Sequence, residues 1–202
     1  MKHLLCSLLL LVAALQTLAV SPEKGNKETK TDFATFQLPA EWIAPPSNVY
    51  FGLPEFFEVT TDDGKKHKVF NKGSLYVLTG TETFTNILII SRHRAENGYK
   101  AAITDIKDYF DGIISFRSSG KAHLIWMSVD KDTEKGIVSA YEKSGINGKW
   151  VYNLYKYVIY IKQIGSDVYV TEVRYKKEES KLTDDEYNRL AKSVINSLHP
   201  ID

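Results

Sequence analysis

Hydrophobic and polar positions follow a period of two over most of the chain and change to a helical period in two places. Eight runs rich in Val, Ile, Phe and Tyr are typical of strands, at 54–60, 67–70, 75–79, 84–91, 122–129, 137–143, 149–163 and 168–176. Between 101 and 116 apolar residues recur every three or four positions, which predicts an amphipathic helix. A second helix is predicted after Thr183, whose hydroxyl can form a capping box with Glu186. This order of elements indicates an α+β fold.

The last two predicted strands differ in pattern. Both alternating faces of 149–163 are largely apolar and aromatic, which indicates a strand covered on both faces. We therefore expect Trp150 to be buried and its replacement by alanine to cost about 3 to 5 kcal/mol. In 168–176 one set of alternating side chains includes Glu172, Arg174 and Lys176, so we expect one face of that strand to be solvated.

The N-terminal pattern predicts export. Lys2 precedes an apolar run from Leu4 to Ala14, and Ala19 is a small residue suited to cleavage, which is typical of a secretory signal peptide at 1–19. An uncleaved anchor is the alternative, although the run is shorter than the roughly 20 residues that span a bilayer. Residues 20–31 are almost entirely polar and predict a mobile leader, which leaves 32–202 as a single domain.

Composition and charge narrow the function. The chain of 202 residues has 26 Lys and Arg against 25 Asp and Glu, and removal of 1–19 takes away Lys2, so the mature chain is balanced. Balance gives no electrostatic basis for nucleic-acid binding. The only cysteine, Cys6, lies in the signal peptide, which excludes disulfides, thiolate metal sites and a thiol nucleophile from the mature chain. We expect a bacterial periplasmic or secreted protein without stable membrane insertion after cleavage.

No arrangement of residues indicates catalysis, a metal or a cofactor. Four histidines remain after removal of 1–19, and none has a second His or Cys at metal-ligand spacing. They are His67, His93, His123 and His199. We expect His93 and Glu96 to be solvated loop groups. Asp105, Asp108 and Asp111 lie along one helix face opposite the apolar side, where we expect them to be hydrated. No phosphate-loop, nucleophile-elbow or dinucleotide-binding motif occurs in the chain.

Seven tyrosines and Trp150 crowd the last three predicted strands. Aromatic side chains are favoured cross-strand partners in a sheet, and they also form binding platforms. We favour sheet packing and keep a ligand face as the alternative. The candidate partner surface combines the acidic helix face with two of these tyrosines: Asp105, Asp108, Asp111, Tyr155 and Tyr157.

Four short segments resemble one known family. They are Phe36–Trp42, with the sequence FQLPAEW, and Ile146–Lys149, Val168–Thr171 and Val194–Leu198. They are similar to the opening Phe-x-x-Pro-x-x-Trp turn, the long aromatic strand and its neighbour, and the closing helix of the PsbP-like family. That family includes an extrinsic subunit of photosystem II, a Ran-binding nuclear import factor and exported bacterial proteins. The resemblance implies an α/β/α sandwich with a mostly antiparallel sheet, a central amphipathic helix and a C-terminal helix, and it carries over no catalytic residue and no cofactor.

The leading hypothesis is an exported, non-enzymatic PsbP-like domain that binds a protein partner or a small ligand in an accessory or scaffold role. The alternatives are a secreted hydrolase with a dispersed active site and a purely structural envelope protein. A histidine paired with Ser or Asp in a closed pocket would favour the hydrolase. An open groove or an apolar patch would favour binding.

Overall fold

The computed structural model describes residues 25–45, 53–81, 85–146 and 149–201. The predicted signal peptide at 1–19 and the beginning of the expected leader lie outside the described residues. The strands are β1 (Asn26–Lys30), β2 (Ala34–Pro39), β3 (Trp42–Ile43), β4 (Phe56–Thr60), β5 (Lys66–Leu78), β6 (Asn86–Ala95), β7 (Ile125–Asp130), β8 (Thr133–Ile146), β9 (Lys149–Ile164), β10 (Asp167–Lys176) and β11 (His199–Pro200). The helices are α1 (Ile103–Arg117) and α2 (Asp184–Asn196), with a turn of 3-10 helix at Lys177–Glu179.

Most strands form one large antiparallel sheet. Its order is β3-β5-β6-β10-β9-β8-β7, and β4 pairs with another part of the β5 edge. This confirms the mostly antiparallel α+β fold predicted from the sequence. The predicted runs 67–70 and 75–79 form a single strand, because Gly73 and Ser74 between them continue the pairing of β5 with β6.

A small second sheet joins the two ends of the described chain. β1 and β11 both pair antiparallel with β2. The expectation of a mobile leader up to residue 31 was therefore wrong for Asn26–Lys30, which pair residue by residue with Thr35–Pro39. The side chains of β1 are mostly exposed, so the strand is ordered by backbone hydrogen bonds to β2 and not by a core of its own.

Local sequence explains where both helices begin. The backbone N–H of Thr183 donates to the Glu186 carboxylate at 2.7 Å, and the backbone N–H of Glu186 donates to the Thr183 hydroxyl at 3.2 Å. This is the predicted capping box. At α1 the backbone N–H of Ala102 donates to the Asp105 carboxylate at 2.8 Å. Each acid thus lies at the positive end of a helix dipole.

The two helices cover opposite faces of the large sheet. α2 buries Leu190 and Val194 against β9, β10 and β2, so we call that side the α2 face. α1 buries Ile106, Phe110 and Ile114 against β8 and β9, on the side that we call the α1 face. The small sheet packs beside α2, since Phe36 and Leu38 of β2 belong to the α2 core. The layers are therefore those of an α/β/α sandwich.

The central strand β10 is buried on both sides, so the expectation of one solvated face was wrong. Val168 and Val170 belong to the core under α1, while Tyr169 and Val173 belong to the core under α2. Glu172, which the pattern placed in solvent, is buried. Charged residues on a strand predict a solvated face only where no helix reaches that strand, and α1 lies over this one.

Candidate binding groove and aromatic arm

The three aspartates predicted as a partner surface lie along α1, where two of them support local structure. Asp105 caps the helix and also accepts a hydrogen bond from the Tyr99 hydroxyl at 3.0 Å. Asp111 accepts from the backbone N–H of Leu124 at 2.7 Å and contacts His123 Nδ1 at 2.8 Å. Asp108 is exposed. Asp105 and Asp108 line a shallow cleft of about 390 Å³ between α1 and β4.

The two predicted tyrosines lie away from that cleft, on β9 beneath the C-terminal end of α1. Tyr157 is 1% exposed, and its hydroxyl accepts from the Arg117 guanidinium at 3.4 Å. Tyr155 lies under the guanidinium of Arg174, 3.8 Å from the ring centroid. Because Tyr157 is buried, the predicted set does not form one open surface, although all of it lies on the α1 face.

Two ion pairs with buried carboxylates hold the sheet near these tyrosines. Arg117 Nη1 donates to Glu172 Oε1 at 3.3 Å, and Arg174 Nη2 donates to Glu142 Oε2 at 2.6 Å. Burial raises the pKa of the Glu142 carboxyl, while the positive charge of Arg174 opposes that rise. Within the described part of the chain, Glu142 Oε1 and Arg174 Nε have no hydrogen-bond partner. Removing the arginine of such a pair leaves a buried carboxylate without compensation.

His93 is fully buried, so the expectation of a solvated loop group was wrong. Its ring is surrounded by Phe57, Tyr109 and Phe110. Desolvation lowers the pKa of His93 to about 3. The sequence offered little sign of this, because His93 stands between two arginines on β6, whose side chains alternate between the faces of the sheet.

The hydrogen bonds of His93 fix its tautomer. Asn71 Nδ2 donates to the Pro54 carbonyl at 2.8 Å, so Asn71 Oδ1 is the atom that faces His93 Nδ1 at 2.7 Å. His93 Nδ1 is therefore protonated, and Nε2 accepts from the Ser91 hydroxyl at 2.9 Å. This order of Ser, His and Asn is that of a catalytic triad. Ser91 is 1% exposed, however, so a substrate cannot reach its hydroxyl in this conformation.

β8 and β9 extend beyond their neighbours as a two-stranded arm. The pairing of β7 with β8 ends at Ile137, and the pairing of β10 with β9 ends at Tyr155. Residues 141–146 of β8 and 149–154 of β9 therefore pair only with each other among the described strands. We call these residues the aromatic arm. A two-stranded ribbon has no sheet neighbours to bury its side chains.

Three large aromatic side chains are exposed on the arm. Tyr141, Trp150 and Tyr152 are 62%, 66% and 60% exposed. Their register places them on the α2 face, because they alternate with period two from Ile137 and Val158, which pair there. Lys143 lies between them with its ammonium 3.9 Å from the centroid of the Trp150 ring. The expectation that Trp150 is buried was wrong.

A groove begins where the arm meets α2. It has a volume of about 350 Å³. Its floor includes Ile137 and Val158, and Ile125 at the start of β7 lies at its edge. Asp184 and Asp185, in the first turn of α2, form its wall. The groove and the aromatic arm are continuous along β8 and β9, since Ser139 and Lys156 of these strands also line the groove.

Two of the charges in the groove neutralise each other, and Lys135 also lines it. Lys156 Nζ pairs with Asp184 Oδ2, and the Tyr175 hydroxyl donates to Asp184 Oδ1 at 3.0 Å. The hydrogen bond from Lys156 lowers the pKa of the Asp184 carboxyl, and burial raises the pKa of Tyr175. Asp185 is exposed at the rim. The groove therefore combines an apolar floor with a fixed polar wall, a composition typical of binding sites.

The described ranges contain neither a cluster of metal ligands nor a membrane-spanning helix. No three His, Cys, Asp or Glu side chains come together there as a metal site. No helix in these ranges is long and apolar enough to cross a membrane.

Comparison with known proteins gives likeness in structure alone. The sequence matches no protein-family model and no curated protein. A solution structure of PsbP (CyanoP) from the cyanobacterium Synechocystis matches 91% of this chain and 96% of its own, with 12% identity and a TM-score of 0.41. A crystal structure from Bacteroides thetaiotaomicron matches 89% of this chain, with 12% identity and a TM-score of 0.37.

This chain covers 49% of the Bacteroides chain, about half its length. The order of layers found here agrees with the α/β/α sandwich that the sequence resemblance implies. At 12% identity and a TM-score below 0.5, neither likeness tells us what the chain binds or does.

Proposed function

We propose that this chain is an exported, non-enzymatic module that binds a protein partner through the aromatic arm and the adjoining groove. One observation carries the proposal: Tyr141, Trp150 and Tyr152 lie together on one face of a projecting ribbon and are mostly exposed. A contiguous exposed apolar patch is uncommon on a monomer and is typical of an interaction surface.

The chemistry of the arm supports a protein partner. Trp and Tyr are the residues that most often contribute large binding energies at protein interfaces, because they bury large area and lose little conformational entropy. The groove beside the arm adds an apolar floor at Ile137 and Val158. A small ligand in the groove is the second form of the same proposal, since its volume of about 350 Å³ is within the range of small-molecule sites.

Export is part of the proposal and rests on the sequence. The basic residue, the short apolar run and Ala19 favour cleavage after 19. Intact-mass measurement of the exported protein tests it. We expect a mass that begins at Val20, and a mass that retains Met1 to Leu18 would contradict it in favour of an anchor.

The hydrolase alternative has one observation in its favour, the Ser91–His93–Asn71 relay. We propose that this relay is structural, because Ser91 is buried among core side chains. Hydrolysis of p-nitrophenyl acetate by the exported chain and by Ser91→Ala checks this. We expect equal rates at background level, and turnover by the wild type that Ser91→Ala abolishes would establish the hydrolase.

Capture from the envelope and medium of the native organism tests the binding surface. The bait is the exported chain, compared with the double variant Trp150→Ala/Tyr152→Ala. Phe116→Ala is the matched control, because Phe116 is an aromatic residue that is 87% exposed on α1, away from the arm. We expect a partner that the wild type and Phe116→Ala retain equally and that the arm variant loses by about tenfold or more.

Unchanged circular dichroism of all baits is required in that experiment. Equal capture by the arm variant would place the binding surface elsewhere and overturn the proposal. If no bait captures a partner above an empty support, the result would favour the alternative of a purely structural envelope protein.

A further inference from the structure

The outer edge of β8 is paired with another strand along only part of its length. From Thr133 to Ile137 it pairs with β7, and from Val138 to Ile146 it pairs with no strand of the described chain. On an antiparallel edge, the backbone N–H and C=O groups of alternate residues point away from the sheet. The uncovered stretch is nine residues long, which exceeds the average strand of about five or six residues.

This free edge adjoins both parts of the proposed binding surface. It starts at Val138 and Ser139, which line the groove. It continues past Tyr141 and Lys143, which belong to the aromatic arm. A strand added here would continue the line of β7, and alternate side chains of that strand would face the groove and the exposed rings.

Unpaired backbone groups favour an extended occupant over a helical one. A helix satisfies its own backbone groups and would leave those of β8 unpaired. An extended peptide pairs with them and extends the sheet, which is the mode of recognition known as β-strand addition.

A second copy of this chain fits the edge poorly. In a two-fold antiparallel pair centred on Tyr141, Ile137 of one copy faces residue 145 of the other. That place is already taken, because Ile125 of β7 pairs with Ile137. A pair centred one position further places Tyr141 opposite Lys143, so Lys143 gains no acidic partner. A separate peptide segment avoids β7 and can place an acid opposite Lys143.

The charge at the edge indicates what the peptide carries. Lys143 is exposed on the α2 face, and its ammonium contacts the Trp150 ring and no carboxylate of the described residues. The neighbouring Glu142 is turned to the α1 face, where Arg174 neutralises it. The edge therefore presents a positive charge at Lys143, while the groove end carries charges of both signs, Asp185 and Lys135.

We propose that the outer edge of β8, from Val138 to Ser144, binds an extended segment of the partner as an additional strand. The segment has apolar side chains at alternate positions and an acidic residue opposite Lys143. This inference rests on the proposed function, because it names the kind of partner that the aromatic arm and groove accept.

A display library of random heptapeptides is the probe. Peptides selected on the exported chain are synthesised, and amide hydrogen exchange is followed by NMR with and without them. We expect alternate amides between 138 and 144 to exchange about tenfold or more slowly with peptide, while the amides between them, already bonded to β9, do not change. N-methylation of the peptide amides that face β8 should weaken binding about tenfold. N-methylation of the amides between them, which point away from β8, should leave binding unchanged.

Lys143→Glu and the matched control Lys121→Glu test the charge. Lys121 is an exposed lysine outside the groove and the arm. We expect Lys143→Glu to weaken the selected peptides about tenfold and Lys121→Glu to leave their binding unchanged. These peptides should be enriched in acids at the position opposite Lys143.

Failure to select any peptide overturns the inference, and so does binding that is insensitive to both N-methylation patterns or that protects amides elsewhere. If Trp150→Ala/Tyr152→Ala still abolishes partner capture in that case, the proposed function stands and only β-strand addition fails. If Trp150→Ala/Tyr152→Ala still captures the partner, the proposed function itself is overturned, whether or not the selected peptides bind the edge of β8.

Discussion

The arm and the middle of β9 have similar side chains and opposite surroundings. Tyr157, towards the middle of the sheet, is 1% exposed, and Tyr152, on the aromatic arm, is 60% exposed. Both lie in a run of aromatic and β-branched residues with apolar side chains on both faces. The difference therefore arises from what covers each end of the strand and not from the strand's own pattern.

Element lengths explain the difference. β9 has 16 residues and α1 has 15, but a strand rises about 3.3 Å per residue and a helix about 1.5 Å. The strand is therefore about 53 Å long, and one helix covers about 22 Å of it. One helix on each face buries the stretch from Tyr157 to Ile161 and cannot reach the arm.

The largest expected contrast is between two identical substitutions on this strand. Tyr157→Ala removes a buried ring and the acceptor of an Arg117 hydrogen bond, so we expect the free energy of unfolding to fall by about 3 to 5 kcal/mol. Tyr152→Ala should change it by no more than about 0.5 kcal/mol. Urea unfolding of both variants is the measurement. Equal losses would contradict the division of β9 into a covered part and an exposed part.

The boundary between the two parts is held by Arg174 and Glu142. Arg174→Met leaves the Glu142 carboxylate without its partner, so we expect a loss of about 3 kcal/mol at pH 7. The loss should lessen at pH 5, because burial raises the pKa of Glu142 and the unpaired group takes up a proton. The double variant Arg174→Met/Glu142→Leu should recover most of the loss. No recovery would show that Arg174 acts through its packing on Tyr155.

The covered part should also be sensitive to acid through His93. Its pKa falls from 6.5 to about 3 on burial, so the unfolded chain binds a proton that the folded chain does not bind between these values. The stabilisation is complete above pH 6.5 and is lost as the pH falls towards 3, with about 2 kcal/mol lost by pH 5. Unfolding of the wild type and of His93→Phe across pH 8 to 4 measures it. Identical pH dependence in both would contradict it.

The smallest expected effect is that of Trp150→Ala on stability, within about 0.5 kcal/mol. Trp150 is 66% exposed, whereas Trp42 is 1% exposed. Acrylamide should therefore quench part of the wild-type tryptophan fluorescence easily, and that part should disappear in Trp150→Ala. A large shift of the urea midpoint would show that the ring is buried after all.

The fold was largely predictable because its signals are local. The helical spacing of 101–116 and the capping box at Thr183 each depend on a few neighbouring residues, and both helices lie where these signals placed them. The pairing of β1 with β2 was not predictable in this way. Polar residues such as Lys27 and Glu28 carry no hydrophobic signal, and a strand ordered by its backbone leaves none in the sequence.

Most of the candidate site could not be found from the sequence. The aromatic signal was present at Trp150 and Tyr152. The alternation of side chains along a strand, however, cannot tell a strand covered by helices from one exposed to solvent. Only the lengths of β9 and of the two helices, considered together, indicate that part of the strand must be uncovered. The ion pair between Arg117 and the buried Glu172 was also missed, because its members are far apart in the chain and meet only in the fold.

The central position of β10 has a consequence for folding during synthesis of the chain. Until Asp167–Lys176 has been synthesised, β6 and β9 each expose an unpaired inner edge, and the sheet exists at most as two separate halves. The strand that unites them pairs Val168 with His93, far away in the sequence, and contacts of such long range make folding slow. The native sheet therefore cannot be complete until residue 176 has been synthesised. A sheet that forms late suits the export that we propose, and until it forms the unpaired edges of β6 and β9 need protection from aggregation.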